Sequence, residues 1–169
     1  AVQADKRIGI VLKKARNTDN VTNRKIIVGK NNIGIYNENS ILTHKGTLEV
    51  KHDEDSTQNI GIHNFANGDS FEFNVVKAGS DPGLIEGRDG TVGISAETDG
   101  TNQGKINLTD AQIKVKASNM GSGKIPLGIY AKGDNLTITS TSAGTEFTVS
   151  PNAVGAYLEG NDTSKLSGS

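Results

Sequence analysis

Three histidines, His44, His52 and His63, are the side chains able to exchange a proton near neutral pH. A nucleophile held beside one of them would make a hydrolase. Gly68-Asp69-Ser70 sets a serine in a glycine turn, but Phe71 and Glu72 follow where a nucleophile loop needs glycine. The histidines fall in different expected strands and turns, with no Ser or Cys at a recognisable catalytic spacing. His52-Asp53-Glu54-Asp55 gathers metal-capable groups. Consecutive side chains of an extended chain point to alternate sides, whereas calcium needs about six converging oxygens, so this cluster reads as a solvated acidic turn. The same acids are the candidates for sugar cleavage, which requires two carboxyl groups about 5 to 10 Å apart across the glycosidic bond. No basic residue is evidently paired with them. The sequence therefore predicts no catalytic, cofactor or metal site, and a polysaccharide lyase or hydrolase is the main enzymatic alternative. With no Cys, disulfides and thiolate zinc sites are excluded.

The tyrosines are better organised. An apolar-Gly-apolar tripeptide recurs as Ile8-Gly9-Ile10-Val11, Ile33-Gly34-Ile35-Tyr36, Ile60-Gly61-Ile62-His63, Val92-Gly93-Ile94-Ser95, Leu127-Gly128-Ile129-Tyr130 and Val154-Gly155-Ala156-Tyr157. Its glycines stand 25, 27, 32, 35 and 27 residues apart. All three tyrosines of the chain fill the slot after the tripeptide. If equivalent copies stack, Tyr36, His63, Tyr130 and Tyr157 form one row. Tyr suits contact with an extended glycan or peptide because it offers an apolar ring and a hydroxyl. It also suits a purely structural role, leaning over bare glycine backbone.

Such a row needs parallel strands to carry it. Between the glycines lie strictly alternating runs: Thr47-Leu48-Glu49-Val50-Lys51, Phe71-Glu72-Phe73-Asn74-Val75, Lys105-Ile106-Asn107-Leu108-Thr109, Gln112-Ile113-Lys114-Val115-Lys116, Asn135-Leu136-Thr137-Ile138-Thr139 and Glu146-Phe147-Thr148-Val149-Ser150. Alternation marks strands buried on one face. Turn residues such as Asn67-Gly68-Asp69, Asp99-Gly100 and Pro151-Asn152 bound them. Ile and Val outnumber Leu three to one, which favours strands, and no run shows helical periodicity. A sandwich would not repeat one glycine motif; a parallel solenoid would. The expected fold is all-β, a right-handed parallel β-helix of about six coils of 25–35 residues, with 1–169 a single segment. Ile10, Ile35, Ile62, Ile94 and Ile129 are expected to form one internal column, with both neighbours of each motif glycine inward and the glycine itself outward.

The copies Asn32-Ile33-Gly34-Ile35-Tyr36-Asn37 and Leu127-Gly128-Ile129-Tyr130-Ala131-Lys132-Gly133, followed by the strand Asn135-Leu136-Thr137-Ile138-Thr139, resemble coils of type V autotransporter passenger domains, the large surface adhesins of Gram-negative bacteria, Fusobacterium-type among them. The Gly, Asn, Thr and Ser richness is similar. The resemblance implies a right-handed β-helix stalk displayed on the cell surface and anchored in the outer membrane through a part not present here. It implies as partners a host-cell protein receptor or glycan, or another bacterial surface. A phage tail-spike stalk shares this composition and is a further alternative. Two longer repeats suggest projecting loops, with Glu86, Arg88 and Asp89 in 78–91 and Asn119, Met120 and Lys124 in 118–124 as candidate contacts. Residues 1–30 carry a net +6 and the rest a net −7, which predicts weak head-to-tail self-association. No basic stripe runs along the chain, so no nucleic-acid partner is expected, and no apolar run is long enough to insert this segment in a membrane as a helix. The chain is expected to be a piece of a longer polypeptide.

Overall fold

The computed structural model describes residues 8–16, 26–29, 32–51, 59–77, 83–117, 125–141, 143–161 and 164–168. Among them are sixteen strands and no helix. In chain order they are β1 (Ile8–Lys13), β2 (Ile26–Val28), β3 (Ile33–Glu38), β4 (Ile41–His44), β5 (Thr47–Val50), β6 (Asn59–Ala66), β7 (Phe71–Val76) and β8 (Gly83–Arg88). Then follow β9 (Thr91–Thr98), β10 (Gly104–Thr109), β11 (Ala111–Lys116), β12 (Leu127–Lys132), β13 (Leu136–Ser140), β14 (Glu146–Val149), β15 (Val154–Glu159) and β16 (Lys165–Gly168). Each alternating run of the sequence falls on one of these strands to within one residue.

The strands form three sheets, and every ladder is parallel. The first sheet has the order β1-β3-β6-β9-β12-β15, the second β16-β13-β10-β7-β4, and the third β14-β11-β8-β5-β2. From β2 onward the chain visits the third, first and second sheets in strict rotation. The six glycine tripeptides all fall in the first sheet, one per strand. Their register aligns Ile10, Ile35, Ile62, Ile94 and Ile129 in one column. The last four are fully buried, and Ile10, at the margin of the stack, is partly so.

The other two sheets point columns at the same core. Leu42, Phe73, Ile106 and Ile138 line up in the second sheet; Leu48, Ile85 and Ile113 line up in the third. All are at most 1% exposed. A fully buried aliphatic side chain contributes roughly 1.5–3 kcal/mol. Asparagine and aspartate make the corners, where residues with a short polar side chain tolerate left-handed backbone. Asn39, Asp110, Asn135 and Asn152 have φ of 54°, 51°, 57° and 62°. Asp110 alone turns the chain from β10 into β11.

Corners of successive rungs also bond to each other. Asn39 Nδ2 donates to Asn67 O (2.7 Å), and Asn67 N donates back to Asn39 Oδ1 (2.8 Å). Asp99 accepts from Gly68 N across the rung (2.9 Å) and from Asn102 N (2.8 Å) and Thr101 N (3.0 Å) within its own turn. These donors hold its carboxyl far below the usual range.

Two expectations are corrected here. The motif glycines do not face outward. A Cβ on Gly34 would strike Val28 Cγ2, one on Gly61 would strike Leu48 and Val50, and one on Gly93 would strike Ile85, all from core-facing strands. The strand bends at the glycine: its ladder pairs run Ile33 with Ile60, then Ile35 with Ile62, and skip the glycines between. Glycine and the residue after it both turn inward, while the residue before it lies outside the core cluster. Glu86, Arg88 and Asp89 are not a projecting loop either. Glu86 and Arg88 sit in β8, with Ile85 and Gly87 inward, and Asp89-Gly90 is a buried-acid tight turn with Gly90 at φ 66°. Glycine and charge imitated a loop where period-two alternation was intact.

Candidate functional site

The outer face of the first sheet carries three parallel rows, because β1, β3, β6, β9, β12 and β15 share one register. The residues before the glycines make an aliphatic row: Ile8, Ile33, Ile60, Val92, Leu127 and Val154. None belongs to the core cluster or packs among its partly buried members. Ile8 is 44% exposed; Ile33, Ile60, Leu127 and Val154 are half-buried, and Val92 is buried. Sequence reasoning missed this row by turning it inward. The signal was the two apolar residues around each glycine, of which a straight strand can bury both but a bent one only the second.

The next row is Val11, Tyr36, His63, Ser95, Tyr130 and Tyr157. The structure thus brings Tyr36, His63, Tyr130 and Tyr157 onto one line, broken by the small Ser95. Tyr36 stacks on His63 with ring centroids 5.5 Å apart, and Tyr130 on Tyr157 at 5.8 Å in nearly parallel planes. Each ring gives one face to its neighbour. The tyrosines do not lean over outward glycine backbone, since the motif glycines face the core.

The third row is Lys13, Glu38, Phe65, Glu97, Lys132 and Glu159. Lys13 Nζ lies 2.9 Å from Glu38 and Lys132 Nζ 3.5 Å from Glu159. The hydrogen bond to Lys13 lowers the Glu38 pKa and raises that of Lys13; the charge of Glu159 raises Lys132. Burial, helped by Glu38, pushes the Tyr36 hydroxyl up. Lys13 also approaches the Tyr36 ring, 5.9 Å from its centroid.

His63 Nδ1 is 3.1 Å from Ser95 Oγ, the geometry of a base beside a nucleophile. Ser95 is 4% exposed, covered in its row, so a substrate carbonyl has no approach to it. The bond fixes the ring instead. Burial lowers the His63 pKa, with Glu97 opposing, and keeps the ring neutral at pH 7.

The other two outer faces are mostly polar, with Ile41 and Val76 as apolar residues on the second sheet and Ile27 and Leu84 on the third. In the second sheet Asn107 Nδ2 donates to Asn74 Oδ1 (2.8 Å), and the Thr109 and Thr141 hydroxyls lie 2.9 Å apart. In the third, Glu86 is flanked by Arg88 (3.5 Å) and Lys116 (3.4 Å). Among the described residues no group of three His, Asp or Glu could hold a metal ion. His52, Asp53, Glu54, Asp55, Asn119, Met120 and Lys124 lie outside the described residues.

Two buried polar features face the core. Asn37 and Asn64 are fully buried neighbours in the column of Ala96 and Ala131, and Asn37 Nδ2 donates to Asn64 Oδ1 (2.8 Å). His44 is fully buried with neither ring nitrogen in a well-formed hydrogen bond. Its desolvation lowers its pKa, partly offset by the backbone of Leu84 and Gly46.

No protein-family model, no curated protein and no solved structure matches this chain.

Proposed function

We propose that the chain is a right-handed parallel β-helix segment of a bacterial surface adhesin of the autotransporter passenger kind, and that the outer face of its first sheet is its adhesive surface. On this reading the segment is extracellular. It is a stalk that presents one long face to a host-cell receptor protein or glycan, or to another bacterial surface. It needs no cofactor and performs no catalysis.

One observation carries the reading: the aliphatic row from Ile33 to Val154 and the ring row from Tyr36 to Tyr157 lie side by side on one outer face, while the other two faces are mostly polar and carry only scattered apolar residues. Contiguous apolar surface rimmed by charge marks an interaction site. The flanking row of Lys13, Glu38, Glu97, Lys132 and Glu159 supplies such a rim. Because the rings stack on one another, the contact is made through their edges and hydroxyls and through the aliphatic row.

The test replaces Tyr36, Tyr130 and Tyr157 together by Ser and, separately, Leu127 by Lys. Binding to cells and to a glycan array is read beside far-ultraviolet circular dichroism melts. The reading expects binding to fall in both variants while the strand signal persists. Unchanged binding by folded variants would overturn it. Loss of melting temperature without separable loss of binding would make the row structural only.

A further inference from the structure

We propose that the outer face of the first sheet takes as its partner the same face of a second copy, which rests on the reading of that face as adhesive. The two stacks lie antiparallel about a two-fold axis that runs along the strands, between β6 and β9. A rotation about that axis keeps the strand direction, so each outer row meets its own counterpart. It reverses the order of the strands, setting β1 against β15, β3 against β12 and β6 against β9 of the second copy.

The charges select this arrangement. In strand order the rim row reads Lys13, Glu38, Phe65, Glu97, Lys132, Glu159. Reversed and laid on itself, it sets Lys13 against Glu159, Glu38 against Lys132 and Phe65 against Glu97, each twice by symmetry. The ion pairs within each copy, Lys13 with Glu38 and Lys132 with Glu159, then become two networks of four alternating charges. Networks contribute where isolated surface pairs do not. The same row rejects the neighbouring registers. A slip of one strand one way sets Lys13 against Lys132 and Glu38 against Glu97. A slip the other way sets Glu38 against Glu159 and Glu97 against Glu97. Stacks laid parallel, about an axis along the stack, would press the rim charges onto the aliphatic row at a desolvation cost.

Relief and apolar surface agree with the charges. On β6 the outer residues Ile60, His63 and Phe65 are half-buried, whereas Val92 and Ser95 on β9 are each only 4% exposed. The axis lays the fuller strand over the emptier one, with Ile60 on Val92 and His63 on Ser95. The aliphatic rows close further where Ile33 meets Leu127, and the ring rows where Tyr36 meets Tyr130. The three rows span about 24 Å along the stack and about 17 Å along the strands. That is roughly 400 Å² per copy, against about 800 Å² a side in a stable complex, so the contact is weak and reversible.

Sedimentation at low salt tests this with two charge reversals, Glu38→Lys and Lys132→Glu, each checked for an unchanged strand signal by circular dichroism. The parent should self-associate reversibly, and less as salt rises. Each reversal alone opposes like charges at both symmetry-related positions and should raise the dimer dissociation constant roughly tenfold or more. An equimolar mixture of the two variants pairs opposite charges at every rim position and should associate about as well as the parent. A parent that stays monomeric at its highest soluble concentration would overturn the proposal. So would reversals that associate like the parent, or a folded mixture no tighter than its components. Adhesion to other partners is separable: if Leu127→Lys loses cell or glycan binding while the parent is monomeric, the face is adhesive but its partner is not this chain.

Discussion

Ile62 sits at the centre of the stack, fully buried between Ile35 and Ile94 of the same column, which are themselves fully buried. Replacing it by Ala removes three carbons from a site whose walls are fixed by both neighbouring rungs and by the other two sheets. The lost transfer energy of the side chain is part of roughly 1.5–3 kcal/mol. The cavity adds to it because the ladders above and below hold the backbone apart, and Ile→Ala in such sites costs about 2–5 kcal/mol in total. For a chain of this size each kcal/mol moves the melting temperature by roughly 2–4 °C, so the midpoint should fall by about 4–20 °C. Ile10→Ala is the internal comparison. Ile10 occupies the same column at the margin, is only partly buried, and should cost clearly less. Urea titrations of both variants at constant m-value read the difference directly. An Ile62→Ala cost below about 0.5 kcal/mol, or one equal to that of Ile10→Ala, is incompatible with an inward column and a mutation of this size.

Gly93→Ala should destabilise by about 1–3 kcal/mol, because its Cβ would lie 2.7 Å from Gly128 O and 2.9 Å from Ile85 Cγ2. Gly155→Ala, which meets only exposed side chains, should change the urea midpoint little. The pKa values of His44 and His63 are both lowered from 6.5, so the unfolded chain takes up protons first. Stability should therefore be fully present above about pH 6.5, decline as pH falls below it, and level off below the folded values. In His44→Leu the decline between pH 7 and 5 should shrink. Asn64→Ala leaves the buried amide of Asn37 without its acceptor and should cost about 1–3 kcal/mol. Asn37→Ala with Asn64→Ala should cost less than the sum of the single changes, since Ala96 and Ala131 already occupy that column, and a double-mutant cycle in urea measures the coupling.

The stacking was legible because it is written twice, in the recurrence of one tripeptide and in alternation between copies. Ile106 or Ile113 can be assigned inward from its neighbours alone, and both are fully buried. Alternation assumes a straight strand, and it failed where the strand bends. At Gly34 the backbone turns so that Gly34 and Ile35 both face the core, which moved Ile33 to the outside and created the aliphatic row. The bend is a property of five stacked carbonyl-to-α-carbon contacts, none of which is local in sequence. The tyrosine row survived because it is counted from the inward isoleucine, after the bend. The same count places Asn37 and Asn64 inward, and alternation from Leu42 places His44 inward. The segment Glu86-Gly87-Arg88 was misread for the opposite reason. Gly87 stands in a column otherwise made of Val28, Val50, Val115 and Val149, and Thr91 approaches the space it leaves.

The central claim is that six glycine repeats stack in register, one strand spacing apart. Pulsed dipolar distances between spin labels on the outward row test it most directly, with the labelled protein diluted in unlabelled protein to suppress contacts between copies. Labels at Val11 and Tyr130 span four strand spacings, as do labels at Tyr36 and Tyr157, and both pairs should give the same distance of about 19 Å. Labels at Val11 and Tyr157 span five and should give about 24 Å. Unequal distances for the first two pairs, or a third no longer than either, would contradict the stack.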